Sequence, residues 1–195
     1  MKRSAAIALS VLAVMANASA EPKDGKPGAD GSTIYEIEFG SVTANPDGTV
    51  RLMLPNSRYM ASMKLEGFRI TEVNSRREGV MFMTDADPRG FIASGYFEKA
   101  KAKSAVECRE FYFTHALKSP LPKKDVARTE KGKLAIGEYL IAGFMGKKFD
   151  QQNRNIYAYA DSYCLDLHIS KVPFDAAVDT PIIDAWTSTV SMMEK

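Results

Sequence analysis

Apolar and polar positions alternate with a period of two along most of this chain, and only two stretches carry the 3.6-residue period of a helix. "IYEIEF" (34–39) and "VRLMLP" (50–55) alternate, and "NPDGT" (45–49) between them has turn chemistry, so the pair predicts a hairpin ending at Pro55. "FRITEV" (68–73), "GVMFMT" (79–84) and "FIASGYF" (91–97) read as consecutive antiparallel strands, the last two joined by the turn "DADPRG". A helix is predicted from Ser104, which forms a capping box with Glu107. Ala105, Cys108, Tyr112 and Ala116 make its stripe, Arg109 and His115 flank it, and Pro120 and Pro122 end it. Strands resume in "VARTEKGKLAIGEYLIA" with a turn at 130–133. A polar loop is read at "GKKFDQQNRN" (146–155), followed by one long strand, "IYAYADSYCLDLHIS" (156–170). Thr180 and Pro181 suit the N-cap and first position of a closing helix with Ile182, Trp186, Val190 and Met193 as its stripe. Strand groups without regular strand–helix alternation predict an α+β fold, a mainly antiparallel sheet covered by helices, in one domain spanning 33–195.

The N-terminus changes the picture of where the protein works. Lys2 and Arg3 precede an apolar run from Ala5 to Met15, too short to span a bilayer, and Ala18-Ser19-Ala20 offers a small-x-small cleavage site. Residues 1–20 read as a signal peptide cleaved after Ala20, which predicts a periplasmic or secreted protein with no membrane span in the mature chain. Residues 21–32, rich in Gly, Pro and charge, read as a flexible leader. Losing Lys2 and Arg3 lowers the 26 basic side chains to 24, matching the 24 acidic ones. A neutral mature chain without a basic stripe argues against nucleic acid as a partner. An even pair of cysteines in an oxidising compartment predicts a Cys108–Cys164 disulfide.

The order of the pieces "VRLMLP", "SAVECREFYFTHAL", "GKLAIGEYLIA", "LDLHIS" and "DTPIIDAWTSTV" resembles the PsbP-like family of secreted or lumenal domains. That resemblance implies an α-β-α sandwich and a non-catalytic accessory or binding role. The chain departs from the family at Pro55, which is followed by Asn56 and Ser57 rather than by a Gly-Trp turn.

Candidate chemistry concentrates in "DSYCLDLHIS" (161–170). On a strand, Cys164, Asp166 and His168 share one face, opposite Leu165, Leu167 and Ile169. Cys164 and His168 stand about 13 Å apart along a strand, too far for proton transfer between them. A hydrolytic or metal-assisted enzyme would have to recruit His115 to Asp166 and His168. The competing reading places Asp166 and His168 in hydrogen bonds with each other or with Arg109. No Gly-x-Ser-x-Gly, phosphate loop, His-Glu-x-x-His or Gly-x-Gly-x-x-Gly occurs. Glu36 and Glu38 read as a solvent face, and Asp85 and Asp87 as a turn. The methionine pairs lie in apolar patterns and read as core filling rather than copper ligands. No catalytic set, resident metal or cofactor is predicted. The binding candidates are Lys148, Phe149, Arg154, Tyr157 and Tyr159, around the 146–155 loop, with Asp166 and His168. The functional expectation is a non-catalytic binding or accessory protein with a protein partner in the cell envelope. An inhibitor or immunity protein against a secreted enzyme is the alternative, and the His115 enzyme is another.

Overall fold

A computed structural model describes residues 25–144 and 147–195. The expected signal peptide therefore lies outside the described residues, as does Gly146, the first residue of the expected loop. The first sheet contains β1 (Lys26–Pro27), β2 (Thr33–Ile37), β3 (Gly40–Ala44), β4 (Thr49–Met53), β5 (Tyr59–Lys64) and, last in the chain, β13 (Ser191–Glu194), in that spatial order. The second comprises β6 (Ile70–Arg76), β7 (Gly79–Thr84), β8 (Phe91–Lys99), β9 (Lys123–Lys131), β10 (Leu134–Phe144), β11 (Lys147–Ala160) and β12 (Tyr163–Lys171), arranged 6-7-8-12-11-10-9. Every described pairing is antiparallel.

This overturns the expected α-β-α sandwich: the described residues form a mostly antiparallel β structure of two sheets, with two short helices. The six-stranded sheet occupies the inner face of the seven-stranded one, which a helical layer would have covered. Val42, Leu52, Ala61 and Met63 of the small sheet share one core with Phe82, Phe97, Ile156, Leu165 and Leu167 of the large one. Helix α2 (Ala176–Thr189) carries the chain from β12 to β13 and adds Ile183 and Trp186 to that same core.

Several boundaries moved for identifiable reasons. "NPDGT" does turn the chain, but it joins β3 to β4, because β2 ends at Ile37 and a separate strand begins at Gly40. The long strand read at 156–170 is two strands joined at Asp161 and Ser162, which have φ of 47° and 68°. Two consecutive left-handed residues make the primed turn that suits a twisted hairpin, here without its usual Asn-Gly. The polar stretch 147–155 is strand, not loop, paired to β10 on one side and β12 on the other. Helix α2 starts five residues before the expected site. Asp175 caps it by accepting from the Ala177 amide at 3.0 Å, and the Asp175 amide donates back to Asp179 at 2.8 Å. Met193 belongs to β13 and pairs with Met60.

Helix α1 (Ala105–Leu117) begins as expected, with Ser104 accepting from the Glu107 amide at 3.1 Å. It carries the chain from β8 to the far edge, and the meander β9-β10-β11-β12 then returns beneath it. Its buried side covers a second cluster on the outer face of the large sheet: Cys108, Phe113, Ala135, Tyr139, Ile141, Tyr157 and Cys164. Gly137 permits this closeness, since a Cβ there would come within 2.6 Å of the Phe113 ring. The Cys108–Cys164 disulfide, with alpha-carbons 6.0 Å apart, ties the helix to β12. No helix among the described residues is long and apolar enough to cross a membrane.

Candidate functional site

The α1 side of the large sheet is polar where the helix leaves it uncovered. Strand alternation puts Tyr96 of β8, Asp166 of β12 and Tyr157 of β11 in one cross-strand row, and Ser94, His168 and Asn155 in the next. The opposite faces of these strands feed the inter-sheet core, so alternation itself directs Asp166 and His168 outward, as expected from the sequence. Both keep a partly exposed edge.

The two are anchored separately. Asn155 Nδ2 donates to Asp166 Oδ1 at 3.3 Å, while His168 Nε2 sits 3.1 Å from Asn153 Oδ1. Gln151 Nε2 donates to that same oxygen at 3.1 Å, so the oxygen is an acceptor and His168 Nε2 carries the proton. The Nδ1 of the neutral ring is then an acceptor. Arg109 does not reach either side chain, as its guanidinium donates to the Thr129 carbonyl and to Glu110. Three tyrosines stand in and beside the row. Tyr112 of α1 stacks on Tyr157 with centroids 6.3 Å apart and planes 7° from parallel. Tyr96 and Tyr112 both donate to Glu98, the former at 2.7 Å.

Two buried polar atoms in this patch have no hydrogen-bond partner among the described residues: Asn155 Oδ1 and Tyr157 Oη. Asn155 is 5% exposed and Tyr157 0%. Leaving such groups unpaired costs about 1–3 kcal/mol each.

Dense surroundings also set the charge states. Burial, helped by the Glu98 charge and opposed by the Asn155 bond, pushes the Asp166 carboxyl up to about 7. Burial alone pulls His168 down to about 4. Tyr157, Tyr112 and Tyr96 are pushed well above the ordinary phenol range, chiefly by burial, so all three remain hydroxyls.

These shifts predict opposed contributions to stability. Asp166, raised from 3.8, stabilises the fold most below pH about 4 and loses that stabilisation as pH rises to about 7. His168, lowered from 6.5, stabilises most above pH about 6.5 and loses it as pH falls to about 4. The slopes nearly cancel between. Asp166→Asn should therefore give a protein that weakens on acidification from pH 6.5 to 4, and His168→Gln one that strengthens over the same range. Urea midpoints measured at half-unit pH steps check both signs.

The sequence candidates divide between the two sheet faces. Tyr157, Asp166 and His168 come together as described. Arg154 lies on the opposite face, buried against Glu138 at 2.6 Å and paired with Asp184 of α2. It is a tie between β11 and α2. Phe149 packs into the cluster beneath α1, Lys148 is exposed, and Tyr159 accepts a bond from the Ser162 amide at 3.1 Å, closing the turn. His115 is exposed on α1, its Nδ1 2.6 Å from the Phe111 carbonyl. Among the described residues, no group of three or more His, Cys, Asp or Glu is placed to hold a metal ion. Both cysteines are consumed by the disulfide, which leaves neither as a nucleophile. Sequence reading missed Asn153, Asn155, Tyr96, Glu98 and Tyr112. The alternation that identifies one face of β11 is hidden because Gln152 and Arg154 are polar on the other.

No protein-family model matches the chain, and no curated protein or solved structure matches it. The PsbP-like resemblance thus rests on element order alone. The class defined by fold and site is a disulfide-tied, two-sheet antiparallel β protein with a tyrosine-walled polar patch beside helix α1.

Proposed function

We propose that this chain is an exported, non-catalytic binding protein that holds its partner at the polar patch beside α1. One observation carries the reading. Asn155 Oδ1 and Tyr157 Oη are buried without partners next to Asp166 and His168, which still reach solvent. Natural folds satisfy nearly all such groups, and an exception calls for a cause such as a bound water, an ion or a functional role. Two of the four such atoms among the described residues fall in this one patch. The N-terminal sequence and the disulfide support export to an oxidising compartment, with cleavage after Ala20.

Fractionation of cells expressing the tagged full chain tests the first half: the expected product is envelope-localised and begins at Glu21. For the second half, the side-chain amide signals of Asn153 and Asn155 are followed while fractions of an envelope extract are added. A fraction that shifts them in the wild type and not in Tyr157→Phe supports the reading. Turnover of a hydrolase substrate panel that His168→Gln abolishes would overturn it.

A further inference from the structure

Resting on that reading of the patch, we infer that its ligand presents a primary alkylammonium group, seated between Asp166 and the orphaned oxygens of Asn155 and Tyr157. The argument is one of matching donors to acceptors. Asn155 Oδ1 has a free lone pair. Asp166 has one carboxyl oxygen beyond the one that accepts from Asn155. His168 Nδ1 is an acceptor, because its Nε2 is committed to Asn153. Tyr157 Oη can accept as well as donate. A compact group with three donors and no acceptor complements this set, and an ammonium is that group.

Charge and shape point the same way. The charged and titratable groups that face the patch come from every element around it. Strand β12 gives Asp166 and His168, β8 gives Glu98 and Tyr96, β11 Tyr157, β10 Tyr139, and α1 Tyr112 and Arg109. Arg109 is the cation among them, and it is already held by Glu110 and the Thr129 carbonyl. Two carboxyl groups with one engaged guanidinium disfavour an anionic ligand. The partly exposed Tyr112 ring, held by its stacking on the buried Tyr157, offers a wall for the ligand's alkyl stem and for cation–π attraction. Two sources share this chemistry: a free aliphatic amine, or a lysine side chain of a protein partner.

The test follows the Asn155 side-chain amide signal of the mature, disulfide-intact protein while n-butylamine, Nα-acetyl-lysinamide, n-butyrate or glucose is added. Both amines should shift the signal, and butyrate should not. A tighter response to the lysine derivative assigns the ammonium to a protein, a tighter response to butylamine to a free amine. Asp166→Asn should weaken amine binding at least tenfold while circular dichroism stays native. Because Asp166 must be ionised to hold the cation, affinity should rise about tenfold from pH 6 to pH 8, a dependence that mere support of the fold would not produce. A response to glucose or butyrate and not to amines overturns the ammonium assignment and leaves the binding reading standing. Silence toward all four probes, or amine affinity unchanged in Asp166→Asn, also overturns it.

Discussion

Removing the Cys108–Cys164 bridge, by reduction or as the double Cys→Ala variant, should lower the thermal midpoint by about 10 °C. The two cysteines are 56 positions apart in sequence. Closing a loop of that length restricts the unfolded chain by about 4 kcal/mol on a chain-entropy argument. For a domain of this size, each kcal/mol moves the midpoint by roughly 2–4 °C. The bridge also has a local task. It fixes which turn of α1 lies over β12, and with it the stacking of Tyr112 on Tyr157 beside the polar patch. Reduction should therefore loosen the α1 side first. Amide exchange of α1 should accelerate well before that of β8 or β12, whose inner faces lie in the inter-sheet core. A midpoint unchanged on complete reduction would show that the helix is held by Phe113 and its neighbours without covalent help.

Legibility in the sequence followed local chemistry closely. Strands β7 and β8 and the start of α1 were readable because clean alternation, the turn Asp87-Pro88-Arg89-Gly90 and a capping box agree there. The smaller, six-stranded sheet was not. Its strand β5, "YMASMK", has three consecutive buried residues and no alternating contrast, and β13 is a four-residue strand whose only signal is its partner, β5. Without a local signal for β3, β5 and β13, the pattern along the chain leaves only helices to cover the inner face of the large sheet, and so it implies α+β where the fold is two packed sheets. The candidate site was half legible for a related reason. Alternation alone puts Cys164, Asp166 and His168 on one face, and the cysteine pairing then brings α1 above them. Asn153 and Asn155 stayed hidden in a strand that is polar on both sides. Tyr96, Glu98 and Tyr112 reach the patch from distant parts of the chain, by a register that no local pattern encodes.

That dependence of the fold on its last elements leads to the second large effect, expected for Trp186→Ala. Trp186 is the chain's single tryptophan and is 7% exposed. Phe68 and Phe91 meet its ring edge-on at 5.0 and 4.9 Å, and the Arg89 guanidinium stands 4.9 Å from its centroid. Truncating so large a buried side chain removes its transfer free energy and leaves a void that backbone strands on either side cannot collapse to fill, so the loss should be about 3–5 kcal/mol. The damage should also spread in one direction. Helix α2 carries Trp186 and delivers the chain to β13, and Thr189 Oγ1 accepts from the Lys64 amide of β5 at 2.9 Å. Amides of β5 and β13 should therefore lose protection from exchange ahead of those in β11 and β12. Trp186→Phe keeps an aromatic edge for Phe68 and Phe91 and should recover more than half of the stability. Chemical denaturation followed by circular dichroism measures all three proteins without relying on the lost fluorophore. A loss below about 1 kcal/mol for the alanine variant would mean that α2 is anchored by Arg154 and Asp184, and that the aromatic cluster only fills space.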